Sequence, residues 1–405
     1  MGYGLRKFGV EYEAARRISV PSYDHPLFRK SVERGIYLSR REYLAVESEL
    51  ALARGRVEDT NPFRIRPAGG PHEETARVRL PLRLVTPMEW ILEDMSQLLI
   101  GTGGWAYFKV PGTDSLEAYS HAYDFVELNS SYYELPANSS ASDWRKRVPL
   151  DFRFSVRCPR IIVDHYGLKL LPGSRGLLER LEEVCKTLEA EVMTVLIGAS
   201  SPIEENELPG RLREFLGKFD ADDTVVAVEF RGVRPSEEVF DIMKESGAVH
   251  CIDLSHHEPR YQSKILYSRL FGKGQENIYE FDDRELKEIR KKASEPKFEK
   301  SILAFHGVRM YKDAGRVKSF IEKGYFPKIT SGVGVDSIRE VLSEDARFPT
   351  NKSNLLRDQG WKVFQETGEV RRISTVLEKL PDGEYNSLDD LLTQLQSQQG
   401  LFSPE

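Results

Sequence analysis

The stretches VMTVLIG, residues 192–198, and VVAVEF, residues 225–230, decide the fold. Each is a nearly continuous apolar run of strand length rather than an alternation of apolar and polar residues. A strand buried on both faces reads this way, and a parallel sheet covered by helices requires it. Working outward, similar runs recur at 98–102, 124–129, 152–157, 248–253, 265–270 and 302–305, each followed by a polar loop and a helix-like stretch. Eight β/α units in about 225 residues match the size of a TIM barrel, so the expected fold class is α/β, a (β/α)8 TIM barrel. An open doubly wound sheet would need fewer strands or a longer chain. Nearly every run ends in a polar residue: Asn129, Arg157, Glu229 with Arg231, Asp253, Arg269 and His306. In this fold the C-terminal strand ends form one mouth, where sites are built.

The chain has 405 residues, 40% of them hydrophobic and 30% charged, with 17 Tyr and 20 Phe. That is ample for a packed core and argues against global disorder. No run of eighteen apolar residues occurs, so no membrane span is expected, and the N-terminus lacks the apolar core of a signal peptide. The three cysteines, Cys158, Cys185 and Cys251, have no CxxC spacing and fit neither a disulfide framework nor a structural zinc site. A cytoplasmic protein is expected.

Two appendages flank the barrel stretch of residues 98–324. Residues 1–86 carry sixteen Arg plus Lys against eleven Asp plus Glu, within a chain whose net charge is −6. This basic N-terminal extension reads as partly helical over Ser39–Leu52, with linker chemistry over Asn61–His72. A solvated helical appendage explains it, and so does a nucleic-acid or partner-docking arm. At the other end, residues 347–396 read as a small helical C-terminal module whose last helix is capped by Ser387 with Asp390 as its partner.

Within 98–324 the stretches IGTGGWAYFK (100–109), LEAYSHAYDFVELNSSYYELP (116–136), SDWRKRVPLDFRFSVRCPR (142–160), VAVEFRG (226–232), VHCIDLS (249–255), ILYSRLFGKG (265–274) and AFHGVRMYKDAGR (304–316) follow one another. In this order they resemble the YecE-like family, a TIM-barrel family of unknown function. The resemblance implies the fold and no reaction; its likeness to AP-endonuclease and sugar-isomerase barrels is a fold-level analogy. Three motifs depart from the family pattern: Gly232 and Phe271 stand where histidines are usual, and His306-Gly307 stand where two asparagines are usual. The C-terminal module is similar, on Pro349, Lys352, Leu355, Leu380, Pro381, Asp382 and Tyr385, to small helical modules with a Leu-Pro-Asp-x-x-Tyr turn, which imply no activity.

The strand ends supply candidate chemistry. Glu229 and Arg231 are two apart on one strand and point the same way, with Asp253 ending the next strand. Glu229, Asp253 and His306 are the candidate catalytic set, as acid/base groups or as holders of a divalent metal, while a structural Glu–Arg pair is the rival reading. Asp253, His256, His257, Glu258 and His306 have metal-ligand chemistry, though loop histidines account for two of them as simply. Glu127 and Asn129 share a strand face and could hydrogen-bond a sugar or phosphate, or else the loop satisfies its own backbone. Trp105 and Tyr132 follow strand ends and offer stacking faces, with rim packing as the alternative. Arg157, Arg269 and Lys273 would put positive charge at the rim, and Arg309, Lys312, Arg316 and Lys318 after strand eight occupy a usual phosphate-binding position of this fold. Cys158 reads as buried filler.

Three functions are compatible with this set. One is a hydrolase or lyase acting on a phosphate-bearing substrate such as nucleic acid. The second is a non-catalytic binding or scaffold protein with a silent barrel and protein-docking extensions. The third is a sugar isomerase or epimerase, in which the same carboxylates move a proton beside a carbonyl.

Overall fold

The computed structural model describes residues 97–397. The N-terminal extension, with its Ser39–Leu52 and Asn61–His72 readings, lies outside the described residues. Eight parallel strands alternate with helices: β1 (Gln97–Thr102), β2 (Phe125–Leu128), β3 (Arg153–Arg157), β4 (Ala190–Gly198), β5 (Val225–Arg231), β6 (Val249–Cys251), β7 (Ile265–Leu270) and β8 (Lys300–Phe305). They pair in the order β6-β5-β4-β3-β2-β1-β8-β7. A parallel bridge between Ile252 and Ser268 closes the ring, with the Arg269 amide donating to the Ile252 carbonyl at 2.9 Å. All eight runs read from the sequence are these strands.

Alternation along each strand sorts side chains into two cores. One set, including Leu99, Phe125, Val192, Ala227, Cys251, Tyr267 and Ile302, clusters inside the barrel. The other set, including Val126, Phe154, Val195, Val228 and Leu303, packs outward against the helices. Continuous apolar sequence follows directly, because both faces are buried. Glycine is required where β1 and β2 approach: a Cβ on Gly101 would stand 1.8 Å from the Phe125 carbonyl oxygen.

The crossovers include α1 (Ser115–Ala122), α2 (Asn138–Lys146), α3 (Arg160–Asp164), α4 (Pro172–Leu188), α5 (Leu208–Lys218), α6 (Glu237–Glu245), α7 (Asp283–Ala293) and α8 (Met310–Lys323). Their starts follow from local chemistry. Asp114 accepts from the amides of Leu116 and Glu117 at the head of α1. Asp282 and Glu285 form a reciprocal capping box on α7. No described helix is long and apolar enough to cross a membrane.

The C-terminal module starts earlier than Arg347 and is not wholly helical. Helix α9 (Val335–Leu342) packs with α10 (Lys352–Gln359), α11 (Ser374–Leu377) and α12 (Leu388–Ser397) around Ile338, Leu355, Phe364, Ile373, Leu380 and Leu391. Two short antiparallel ladders complete it, β9 (Thr350–Asn351) with β12 (Glu384–Tyr385), and β10 (Val363–Gln365) with β11 (Val370–Arg372). Ser387 accepts from the Asp390 amide at 3.1 Å, and Asp390 reaches back to the Asn386 amide at 3.0 Å.

The β10–β11 hairpin hangs on the barrel by buried carboxylates in the segment leading into α7. Glu280 accepts from the Val363 amide at 3.3 Å, and Asp283 accepts from the Val370 amide at 3.0 Å. Arg316 bonds Asp283 at 2.6 Å and Asp313 at 3.2 Å, while Lys312 pairs with Glu280 at 2.6 Å. Three carboxylates therefore meet two cations. Burial pushes the Asp313 carboxyl up to about 7, against the pull of Arg316 and with Glu280 adding to the rise.

Two predictions follow from this packing. Gly101→Ala should lower the urea midpoint by the equivalent of about 3 kcal/mol, because backbone must move to admit the methyl. Asp313 holds its proton more tightly folded, at about 7, than unfolded, near 3.8. Its contribution is therefore full below the lower value and is lost as pH rises through the higher one. Urea midpoints should fall over that window in the wild type and fall less in Asp313→Asn.

Candidate functional site

The inward positions nearest the C-terminal ends of the strands are Glu127 on β2 with Asn129 just after it, Arg157 on β3, Glu229 and Arg231 on β5, Arg269 on β7 with Phe271 just after it, and His306 after β8. At the centre is Arg269, 2% exposed. Its Nε and Nη2 donate to Glu127 at 3.0–3.2 Å, and its Nη1 donates to Glu229. Tyr267, two residues earlier on β7, donates its hydroxyl to Glu127 at 2.7 Å and meets the Ser155 hydroxyl at 2.7 Å. Glu127, 0% exposed, thus has its oxygens occupied.

The remaining charges sit around this pair. Arg231 Nε donates to Glu229, and its guanidinium lies over the Phe271 ring at 4.3 Å. Arg157 donates to Asn129 Oδ1 at 2.5 Å, approaches Glu127 at 3.9 Å and stacks on Tyr132 at 3.9 Å. His306 stacks on Phe271, centroids 4.9 Å apart and planes at 23°. Its Nε2 lies 3.2 Å from Glu127 Oε1, off hydrogen-bond geometry and with no other partner.

Burial alone would raise both glutamates, but Arg269 outweighs it and holds Glu127 well below the usual carboxylate range and Glu229 below it too. For Arg157, burial first and Arg269 next lower its pKa. Burial, and then the Arg269 charge, likewise hold His306 below its ordinary value, so the ring is neutral.

The other sequence candidates lie elsewhere. Asp253 is not joined to Glu229: its oxygens accept from the amides of Phe271, Gly272 and Ser255 at 2.8–3.1 Å, lacing the loops after β6 and β7. Lys273 pairs with Glu285 at 3.2 Å. Trp105 packs edge-on against Trp144 at 5.3 Å. The basic residues after β8 are occupied too: Arg309 by Glu344, Lys312 by Glu280, Arg316 by Asp283, and Lys318 by Asp124. The expected metal set does not assemble. His256 bonds the Gly272 carbonyl, His306 stacks on Phe271, and among the described residues no group of three His, Cys, Asp or Glu could hold an ion. Cys158 is buried and free, and burial raises its thiol. The Ser131 hydroxyl accepts from the Arg157 amide at 2.9 Å and donates to the Leu128 carbonyl at 2.6 Å, so that loop does satisfy its own backbone.

Tyr267 and Phe271 are site residues that the sequence reading lacks, although each is two residues from Arg269, Tyr267 on β7 and Phe271 just past its end. The resemblance placed a histidine at 271; here Phe271 holds that position and the imidazole of His306 stacks against it from the neighbouring strand. The mouth keeps an imidazole, displaced by one strand.

Residues 99–320 match the family described as protein of unknown function DUF72. The chain belongs to that family. The match coincides with the YecE-like stretch, 98–324. The DUF72 barrel is similar to a DUF72 family protein of Enterococcus faecalis V583 (TM-score 0.46, 14% identity, 56% of this chain and 98% of that one). A DUF72 family protein of Thermotoga maritima MSB8 gives TM-score 0.45 and 18% identity over 56% of this chain and 100% of that one. A D-psicose 3-epimerase gives TM-score 0.40 and 11% identity over 55% and 97%. No curated protein matches the sequence.

Arg269→Met leaves two buried glutamates without their shared cation and should cost about 3–5 kcal/mol in denaturant unfolding. Lys273→Ala, which breaks a half-exposed pair, should cost under about 1 kcal/mol in the same assay.

Proposed function

We propose that the mouth of this DUF72 barrel binds a small anionic ligand, a phosphate-bearing compound, through Arg157 and Arg231. The carrying observation is the charge count of the network: three guanidinium groups, Arg157, Arg231 and Arg269, face two ionised glutamates. One positive charge is left uncompensated at a site where Arg157 has a side chain only 9% exposed. Uncompensated buried charge is costly, and a bound anion relieves it. The Arg157 side chain makes one hydrogen bond among the described residues, to Asn129, so its fork has N–H donors to give. Arg231 is 43% exposed at its side chain, accessible from solvent.

Hydrolysis by paired carboxylates fits this arrangement less well. Such chemistry keeps one carboxyl protonated as the acid, and here arginine holds both glutamates ionised. They act instead as the frame that orients the guanidinium groups. Nucleic acid remains a variant of the reading, because Tyr133, 70% exposed with Arg160 5.7 Å from its ring, gives the rim a stacking face.

The test is calorimetric titration of the full chain with ribose 5-phosphate, ribose, inorganic phosphate and a short single-stranded oligonucleotide. Ribose 5-phosphate is expected to bind at least about tenfold more tightly than ribose, and Arg157→Gln to remove about tenfold of that affinity. Equal binding of the two sugars, or an Arg157→Gln variant that binds as the wild type does, overturns the reading. Binding of the oligonucleotide alone moves the ligand to nucleic acid.

A further inference from the structure

We propose that His306 is the proton-accepting catalytic residue of this mouth, and that its substrate is a phosphorylated α-hydroxycarbonyl compound, an aldose or ketose phosphate. This rests on the anion-binding reading above. The argument begins with what the other groups cannot do. Glu127 and Glu229 are committed to arginine, and Tyr267 is committed to Glu127 and Ser155. Cys251, inside the barrel, is buried with its thiol raised. Asp253 is bonded to backbone amides. His306 is the member of the cluster whose ordinary titration range lies nearest neutrality.

Its geometry suits the role. The side chain is 5% exposed and is clamped between the Phe271 face and β1. Glu127, held ionised, stands 3.2 Å from Nε2. A carboxylate there favours the Nε2–H tautomer, leaves the Nδ1 lone pair as the base, and stabilises the imidazolium once a proton arrives. Gly103 packs on the ring over Nδ1 and Cε1, where a Cβ would stand 2.3 Å from both, so only glycine admits the imidazole here. No described residue hydrogen-bonds Nδ1, whose lone pair is thus uncommitted.

The step balances within these groups. The C–H bond beside the carbonyl breaks, its electron pair moves into the carbonyl to give an enediolate, and the proton passes to Nδ1. Arg157 and Arg231 face the negative charge that develops and the phosphate. The imidazolium then returns the proton on the same face to the neighbouring carbon while the hydroxyl proton passes to the former carbonyl oxygen, completing an aldose–ketose isomerisation without an oxidant, a reductant or a second substrate.

The experiment incubates the full chain in D2O with ribose 5-phosphate, ribulose 5-phosphate, fructose 6-phosphate and dihydroxyacetone phosphate, and follows deuterium at the carbon next to the carbonyl by proton NMR. Binding of the same compounds is measured in parallel by calorimetry. The expected result is exchange with at least one compound that binds, slowed about 100-fold or more in both His306→Asn and His306→Gln, with affinity within about threefold of wild type. Binding without exchange of any of the four, or exchange undiminished in the two variants, overturns this inference and leaves the anion-binding reading standing. Absence of binding by all four removes the anion-binding reading and this inference with it.

Discussion

Two carboxylates directed into the same barrel interior repel each other unless a cation stands between them, and in this chain the cation is the guanidinium of Arg269. Its flat fork spans from β7 to Glu127 on β2 and Glu229 on β5. A lysine could neutralise one partner; the rigid array of five N–H donors satisfies both. Everything else at the mouth is arranged around that clamp. Tyr267 occupies the remaining side of Glu127, Arg231 closes on the far side of Glu229, and Phe271 supplies the apolar wall on which Arg231 and His306 both lie. The burial that makes these charges costly is what makes their pairing specific, since no weaker arrangement keeps both glutamates ionised.

The strand pattern made the barrel legible because burial on both faces leaves near-continuous apolar runs, and there are eight of them. The same logic exposed most of the mouth, since polar residues closing apolar strands are anomalous unless they meet one another. What could not be read was which of them meet. Glu229 and Asp253 end adjacent strands, so proximity in sequence order favoured that pair. The partner of Glu229 is instead Arg269, because β6 is short and Asp253 is turned to cap the loop after β7. Tyr267 escaped notice for a different reason: in a strand of apolar residues a tyrosine reads as filler until its hydroxyl is seen against Glu127.

The basic residues after β8 illustrate a wider limit. Arg309, Lys312 and Arg316 occupy positions that carry phosphate in many barrels, and nothing local distinguishes them from such a set. Their carboxylate partners come from the segment leading into α7 and from the C-terminal module, where Glu344 takes Arg309. A second module that docks on the loops of a barrel consumes the charge those loops would otherwise offer a ligand. In the module itself, the hairpin of β10 and β11 was legible in principle: Thr367-Gly368 lies between two short runs, and Gly368 has φ of +85°. The strands are three residues each and were hidden among stronger helical signals.

The closure of the barrel adds a mechanical meaning to the clamp. Between β6 and β7 the ring is fastened by one bridge, Ile252 to Ser268, where the other neighbouring strands share ladders of two to seven residue pairs. A cylinder with one lightly stitched seam opens there first under thermal strain. Arg269 sits on that seam: its backbone amide is one of the stitches, and its side chain is a cross-brace to the opposite staves. The residue that carries the charge of the mouth is thus also a tie rod of the barrel, so that the stiffness of the wall and the field inside it cannot be tuned separately.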